Sequence, residues 1–365
     1  MTPRPLPRRV RVASLSALGA IVGGTAIADT ASFLDPLGPI AEFQRVELIW
    51  AAIMIFVAIA PVFVGVPWIM WRYRRSNRNA GYAPGWGHDN RLEAVMWGVP
   101  VVIIIALGIW LTQATFRIDP YRKIDIEMAR SFDFDLSGPP VAVETVGLDW
   151  KWLHLYPEEG IATVGGMVIP VDRPVSMRLT TDTVMQSYMA PGLAGQIYAM
   201  PGMVTELNFI ADRVGRSISG NTQYNGPGFA RQRAQVISVP GDEYLLWLAE
   251  ARNAPPLDDA AYARLAKSGT LDDARAEFDR PGEGPLIFSL PDDRLFTRIV
   301  ARYTSGEAVA HENQPGSPFY DAETARLPDL PAAMAAHGHH APVPDGGICT
   351  APEPYSVANL EDLAE

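Results

Sequence analysis

Residues that could bind a metal are scarce in this sequence. It contains one cysteine, Cys349, so neither an internal disulfide nor a pair of thiolate ligands can form. His337, His339 and His340 form a short HGHH tract, which could bind a metal weakly but is more typical of a solvated low-complexity tail. A metal site built on paired cysteines is therefore excluded.

Glu93 is the candidate for proton chemistry. It stands in the segment NRLEAVMW, where an apolar stretch begins. A carboxylate in the first turn of a helix is stabilised by the helix macrodipole, so a structural role is one interpretation. Ionisable groups beside membrane helices are often functional, so an acid at the mouth of a proton pathway is the other.

Two apolar stretches, residues 45–72 and 92–115, predict membrane helices that would position Glu93. Each contains the run of about 20 apolar residues that crosses a bilayer. The loop between them, residues 73–91, is basic, and the positive-inside rule places it in the cytoplasm. Its arginines are Arg74, Arg75, Arg78 and Arg91. The residues that follow the second helix are then expected in the periplasm.

Residues 1–28 have the features of a secretory signal peptide. Four arginines precede a modestly apolar run, and Ala26-Ile27-Ala28 is a small-residue cleavage pattern. An uncleaved membrane anchor is the alternative. Either way, the expected location is the bacterial inner membrane, with a multi-pass chain and a large periplasmic C-terminal domain.

Residues 136–240 predict a sandwich of two antiparallel β-sheets. Short runs such as VAVETVGL and WKWLHLY are rich in β-branched and aromatic residues, and Gly-Pro clusters separate them. Trp150 and Trp152 alternate with Lys151, so both rings are expected on one face as core or interface aromatics. Residues 241–310 predict a helical arm, and residues 311–365 a disordered tail.

The formal net charge of −11 argues against nucleic acid as a partner, because no basic face is left to neutralise phosphates.

Several motifs occur in an order that resembles one family. They are SNRNAGYAPGWGHDNRLEAVMW, DWKWLHLYPEEGIATV, VMQSYMAPGLAGQIYAMPGM and YNGPGF. This order resembles subunit II of the haem–copper respiratory oxidases, and is most similar to the ubiquinol-oxidising, cytochrome bo-type branch. The resemblance implies an α+β membrane protein with a two-helix hairpin, a cupredoxin-like antiparallel β-sandwich and a helical C-terminal arm, which in this family packs on a partner subunit.

The same resemblance implies that a two-copper centre is missing. In the cytochrome c-oxidising branch the pattern requires a His in one loop, and Cys-x3-Cys-x3-His-x2-Met, with a Glu between the cysteines, in another. Amides and a phenyl ring replace these ligands here, and none of them supplies a thiolate for copper. The degenerate ligand positions are Gln186, Asn221, Gln223, Asn225, Phe229 and Gln232.

As a subunit of a proton-translocating ubiquinol oxidase, the chain would be non-catalytic and bind no cofactor. The resemblance places the haems and copper in subunit I, with ubiquinol as the substrate of the complex. It implies subunits I, III and IV and the lipid membrane as partners, and it matches Glu93 to a carboxylate at a proton-pathway entrance. The alternatives are a copper-bearing subunit II of a cytochrome c oxidase and a non-enzymatic exported cupredoxin-like adaptor.

Overall fold

The computed structural model describes residues 30–81, 84–282, 284–304 and 308–330. The predicted signal peptide, the HGHH tract and Cys349 lie outside the described residues.

Two long apolar helices, α1 (Pro39–Arg72) and α2 (Asn90–Arg117), contact each other as a hairpin. Both are long and apolar enough to cross a membrane. Helix α1 has 34 residues and is therefore about 50 Å long, against a hydrocarbon core of about 30 Å. Its first turn, Pro39–Ala41, is buried, so this end of the helix belongs to the folded domain.

The other described residues form a β-sandwich with added helices. A short helix, α3 (Ile126–Phe132), precedes the sandwich. The strands are β1 (Thr30–Ala31), β2 (Val141–Leu148), β3 (Lys151–Tyr156), β4 (Ile161–Val164), β5 (Gly166–Pro170), β6 (Val175–Thr181), β7 (Gln186–Met189), β8 (Gln196–Ala199), β9 (Thr205–Phe209), β10 (Gly215–Asn221), β11 (Arg233–Val239) and β12 (Leu286–Ser289).

The strands divide into two six-stranded sheets. The first has the order β5-β11-β10-β7-β8, with β1 beside β10, and the second has the order β12-β4-β3-β2-β6-β9. Most neighbours are antiparallel, as the sequence predicts. The pairs β2–β6, β5–β11 and β1–β10 are parallel, and each joins strands that are not consecutive in sequence.

Strand β3 is buried along its whole length because both faces of the second sheet are covered. Trp152 and Tyr156 face the interior of the sandwich. Leu153 and Leu155 face the opposite side, where the C-terminal arm packs. The sequence of the strand, KWLHLY, therefore alternates only partially between apolar and polar residues, because it has no solvent face.

The arm consists of α4 (Gly241–Ala251), α5 (Asp259–Leu265), α6 (Leu271–Glu277) and α7 (Leu295–Thr304), together with strand β12. Helices α5, α6 and α7 cover the outer face of the second sheet of the same chain, whereas α4 packs against the core between the sheets. A buried ion pair fixes the arm there: Arg302 Nη1 lies 3.1 Å from Asp182 Oδ2, and Tyr262 donates a hydrogen bond to the same carboxylate. Moving the arm away would leave Asp182 as a buried charge without its partner, which is costly. The ion pair therefore favours the observed position of the arm.

The structure differs from the sequence prediction at residues 311–330, which were expected to be disordered. Tyr320 donates to the Ala263 carbonyl at 2.8 Å, and Arg302 donates to the Asn313 carbonyl at 2.9 Å. Leu327 is buried in the same core as the arm. Because isolated apolar residues and backbone carbonyls anchor this segment, its Pro- and acid-rich composition does not reveal the packing.

Both connections between the hairpin and the sandwich are held by backbone hydrogen bonds. Leu37, just before α1, donates to the Gly192 carbonyl at 2.6 Å, and its own carbonyl accepts from Asp212 N at 3.1 Å. After α2, the Pro120 carbonyl accepts from both nitrogens of Asn208 at 3.0 Å. The membrane hairpin and the sandwich are therefore directly attached.

His154 makes the stability of the sandwich depend on pH. It is fully buried, its Nδ1 is 2.9 Å from Thr145 Oγ1, and its Nε2 has no partner among the described residues. Burial lowers its pKa from 6.5 to about 3. The unfolded chain therefore binds a proton below pH 6.5 that the folded chain excludes, and stability is lost as the pH falls from 6.5 towards 3.

We expect the His154→Gln variant to lose less stability than the wild type when the pH falls from 7 to 5. The difference should be about 2 kcal/mol, because one group with this pKa shift contributes about 1.4 kcal/mol per pH unit below 6.5. Urea unfolding of the full chain in detergent at both pH values measures it. The raised pKa of Glu144, about 7, acts in the opposite direction, so the comparison is between variant and wild type. Equal losses of stability in the variant and the wild type would contradict a lowered pKa of His154 in the folded chain.

Candidate functional site

The two loops singled out by the sequence meet at one end of the first sheet. Asn221, the last residue of β10, pairs with Tyr188 of β7, and Gln186 begins β7. After Asn221 the chain forms a loop that passes through a 3-10 turn, Phe229–Arg231, and re-enters the sheet in β11. Strand pairing thus places the start of β7 beside the loop of residues 222–232.

Gln232 is the centre of a network of side-chain amides. Its Oε1 accepts hydrogen bonds from Asn221 Nδ2 at 3.1 Å and from Asn225 Nδ2 at 2.7 Å. Its Nε2 donates to Gln186 Oε1 at 2.5 Å and to the Leu148 carbonyl at 3.3 Å. One side chain therefore joins both loops and the end of β2, and it is 1% exposed.

The other amides complete the network. Gln186 Nε2 donates to the Leu148 carbonyl and to Thr183 Oγ1, both at 3.1 Å. Asn221 Oδ1 accepts from the backbone nitrogens of Ser187 at 3.0 Å and Gln223 at 2.9 Å. Among these amide atoms, only Asn225 Oδ1 is buried without a partner in the described part of the chain.

The structure brings together four of the six degenerate ligand positions and leaves two outside. Gln186, Asn221, Asn225 and Gln232 form the network described above. Gln223 contributes only its backbone nitrogen. The ring of Phe229 packs on Tyr224, with centroids 5.7 Å apart, and does not enter the network.

Trp150 contacts the loop that carries the amide network, and the sequence did not predict this contact. Trp150 lies in the turn between β2 and β3 with φ of 62°, so it is not on the face of β3 that carries Trp152, and the prediction that both rings share one face is wrong. Its Nε1 donates to the Asn225 carbonyl at 3.3 Å. A Cβ at Gly228 would lie 2.1 Å from the Trp150 ring, so only glycine fits there.

The C-terminal arm holds the turn that carries Trp150. Lys151 Nζ donates to the carbonyls of Lys267 at 2.7 Å and Gly269 at 2.9 Å, and Ser268 donates to Asp149 Oδ2 at 2.7 Å. Burial lowers the pKa of Lys151 to about 8. The arm, the turn and the loop therefore form one connected structure.

Glu93 lies at the opposite end of helix α2 from the sandwich. Asp89 caps this helix by accepting from the backbone nitrogens of Arg91 at 2.9 Å and Leu92 at 3.1 Å. Glu93 follows in the first turn, about half exposed, with its Oε2 3.5 Å from His88 Nε2. The geometry suits both interpretations of this carboxylate, a helix-start charge and a surface proton acceptor.

The donor set of the amide site does not fit a two-copper centre. Such a centre needs bridging thiolates with imidazole and thioether ligands, whereas this site offers neutral amides already hydrogen-bonded to one another. Within the described ranges, no three His, Cys, Asp or Glu side chains cluster in a way that could hold a metal ion.

Comparison with known proteins gives the family. The sequence matches no protein-family model. It is 39% identical over 237 residues to cytochrome bo(3) ubiquinol oxidase subunit 2 of Pseudomonas putida, covering 65% of this chain and 72% of that protein. It is 34% identical over 275 residues to ubiquinol oxidase subunit 2 of Acetobacter aceti, covering 75% and 83%. The chain belongs to the ubiquinol oxidase subunit 2 family.

Among solved structures, the periplasmic domain of cytochrome oxidase subunit II from Bradyrhizobium japonicum is similar with a TM-score of 0.30 and 20% identity. The match covers 32% of this chain and 95% of that domain. Membership of the ubiquinol oxidase subunit 2 family therefore rests on the sequence relatives, and it makes this chain a component of an oxidoreductase complex.

In this member of the ubiquinol oxidase subunit 2 family, we expect Gln232→Leu to lower the free energy of unfolding by about 2 to 4 kcal/mol. The substitution removes the Gln232 partner of Asn221 Nδ2, Asn225 Nδ2 and Gln186 Oε1. Urea unfolding and hydrogen exchange of residues 221–232 measure the loss of stability and the faster opening of the loop.

Gln223→Leu is the matched control. The same atoms are removed from the same loop, but the Gln223 side chain is partly exposed and only its backbone nitrogen contacts the network. We expect a change within about 0.5 kcal/mol. Equal effects of the two substitutions would show that the amide network does not hold the loop.

Proposed function

We propose that the chain is the second subunit of a membrane-bound ubiquinol:oxygen oxidoreductase and contributes no redox centre to it. The amide network supports this proposal most directly. Its side chains hydrogen-bond to one another at the positions where a cytochrome c-oxidising enzyme would hold copper; they are Gln186, Asn221, Asn225 and Gln232. Electrons then enter the complex elsewhere, directly from ubiquinol, at haems and copper held by a partner subunit. The role of this chain is structural, in assembly and stability.

The proposed topology follows from the hairpin and its charges. The basic connection between α1 and α2 lies in the cytoplasm, and the sandwich with its arm lies in the periplasm. Backbone hydrogen bonds at Leu37 and Pro120 attach the sandwich to the hairpin, so the domain is held close to the membrane surface. From this position it can contact the periplasmic face of the larger subunit.

The electron donor distinguishes this function from its alternatives. The complex, purified in mild detergent through this chain, should contain haem and consume oxygen with ubiquinol but not with reduced cytochrome c. Turnover with cytochrome c alone would indicate the copper-bearing class. Purification without haem would indicate an exported adaptor.

We also propose that Glu93 accepts protons from the cytoplasm at the start of a pathway into the partner subunit. Its exposed position in the first turn of α2 and its proximity to His88 support this role. Among the described residues, its carboxylate forms no ion pair with an arginine or a lysine.

We expect Glu93→Gln to reduce the steady-state rate of oxygen consumption several-fold while the complex still assembles. The amide keeps the size and polarity of the side chain but cannot carry a proton. Glu93→Asp is the control and should retain most of the turnover. If Glu93→Gln turns over as fast as the wild type, the carboxylate is only a helix-start charge, whose loss would cost less than about 1 kcal/mol.

A further inference from the structure

The turn that follows α1 concentrates positive charge. Between residues 72 and 93, five arginines stand against two acids, leaving a formal charge of +3. The arginines are Arg72, Arg74, Arg75, Arg78 and Arg91. Four of them lie within seven residues, directly at the end of a helix long enough to cross the membrane.

The two acids of this region do not neutralise the arginines. Asp89 is used by the backbone nitrogens at the start of α2, and Glu93 faces His88. In the described residues of the region, 72–81 and 84–93, no ion pair joins one of these arginines to a carboxylate. The charge is therefore uncompensated within this part of the chain.

Hydrogen bonds fix the shape of the turn. Arg72 Nη1 donates to the Asn79 carbonyl at 3.3 Å, and Asn77 Nδ2 donates back to the Arg72 carbonyl at 2.7 Å. The guanidinium of Arg74 lies 5.3 Å from the Trp71 ring centroid, and its Nε donates to Ser76 Oγ at 3.0 Å. The turn is thus built by Arg72 and Arg74 through contacts within the chain.

Arg75 and Arg78 remain outside these contacts. Both side chains are exposed, and neither makes a hydrogen bond or ion pair with the described residues. The tight turn places them on the same short segment. Two unpaired guanidinium groups so close together favour an anionic ligand.

Aromatic residues indicate the depth at which these arginines lie. Trp68 and Trp71 near the end of α1, and Trp86 in the connection to α2, are all more than half exposed. Tryptophan concentrates at the boundary between hydrocarbon and headgroups, so the turn between them lies at headgroup level. Phospholipid phosphates occupy the same layer.

We propose that Arg75 and Arg78 form a binding site for anionic phospholipid headgroups, such as that of phosphatidylglycerol, in the leaflet that faces the turn. Juxtamembrane arginines attract anionic lipid by about 1 kcal/mol each, and a guanidinium can hold a phosphate through two hydrogen bonds. The site requires the hairpin to span a bilayer, but it does not depend on the oxidase function. It gives these arginines a role in the mature protein in addition to setting topology during insertion.

The test measures lipid selectivity around the full-length chain. The chain is reconstituted in phosphatidylcholine bilayers that contain spin-labelled phosphatidylglycerol or spin-labelled phosphatidylcholine, and the ratio of their association constants is measured. We expect the wild type to prefer phosphatidylglycerol. The Arg75→Gln/Arg78→Gln variant should lose about twofold to fivefold of this preference for each arginine removed. High salt should weaken the wild-type preference.

Arg216→Gln/Arg294→Gln is the matched control, because it removes the same charge from exposed positions in the sandwich and the arm. It should leave the ratio unchanged. The proposal is overturned if the Arg75/Arg78 variant keeps the wild-type ratio, or if the wild-type preference is insensitive to salt. It is also overturned if the isolated chain shows the preference but the assembled complex does not, since an acidic surface of another subunit would then be the partner.

Discussion

The hydrogen bonds of one side-chain amide, that of Gln232, determine how this end of the sandwich is built. An amide both donates and accepts, so Gln232 can join Asn221 and Asn225 of one loop to Gln186 of the other and to the Leu148 carbonyl. Buried polar groups are costly unless paired, and a connected network specifies a single arrangement only when nearly all its members are satisfied. The network therefore fixes the two loops, as a bound metal would.

Outside the amide network, the C-terminal arm and the membrane hairpin make the other contacts that support the sandwich. The C-terminal arm covers the outer face of the second sheet and is fixed by Arg302 against Asp182. Through Lys151 it also holds the turn that carries Trp150 against the site loop. The arm therefore contacts the turn that carries Trp150, and Trp150 contacts the site loop. The membrane hairpin is attached to the sandwich at Leu37 and Pro120.

The sequence was informative where the pattern is periodic or the resemblance is specific. Both membrane helices were predicted to within a few residues, except that α1 begins at Pro39, because its first turn is buried in the sandwich. Four of the six positions that the resemblance aligned with copper ligands lie together, while the side chains of Gln223 and Phe229 lie outside the network. The sequence could not place Trp150, because a positive φ in a non-glycine residue moves it out of the strand pattern. It also missed the packing of residues 311–330, which depends on a few long-range contacts such as that of Tyr320.

The central claim is that hydrogen bonds, and not copper, organise the two loops. It is tested most directly by titrating the purified full-length chain with copper and following bound metal together with the visible and electron paramagnetic resonance spectra. The amide network predicts no stoichiometric site at the loops and no thiolate-to-copper charge-transfer band, and it predicts that Gln232→Leu does not change this result. Two tightly bound copper ions with the spectrum of a mixed-valence pair, lost on substitution of Asn221 or Asn225, would contradict it.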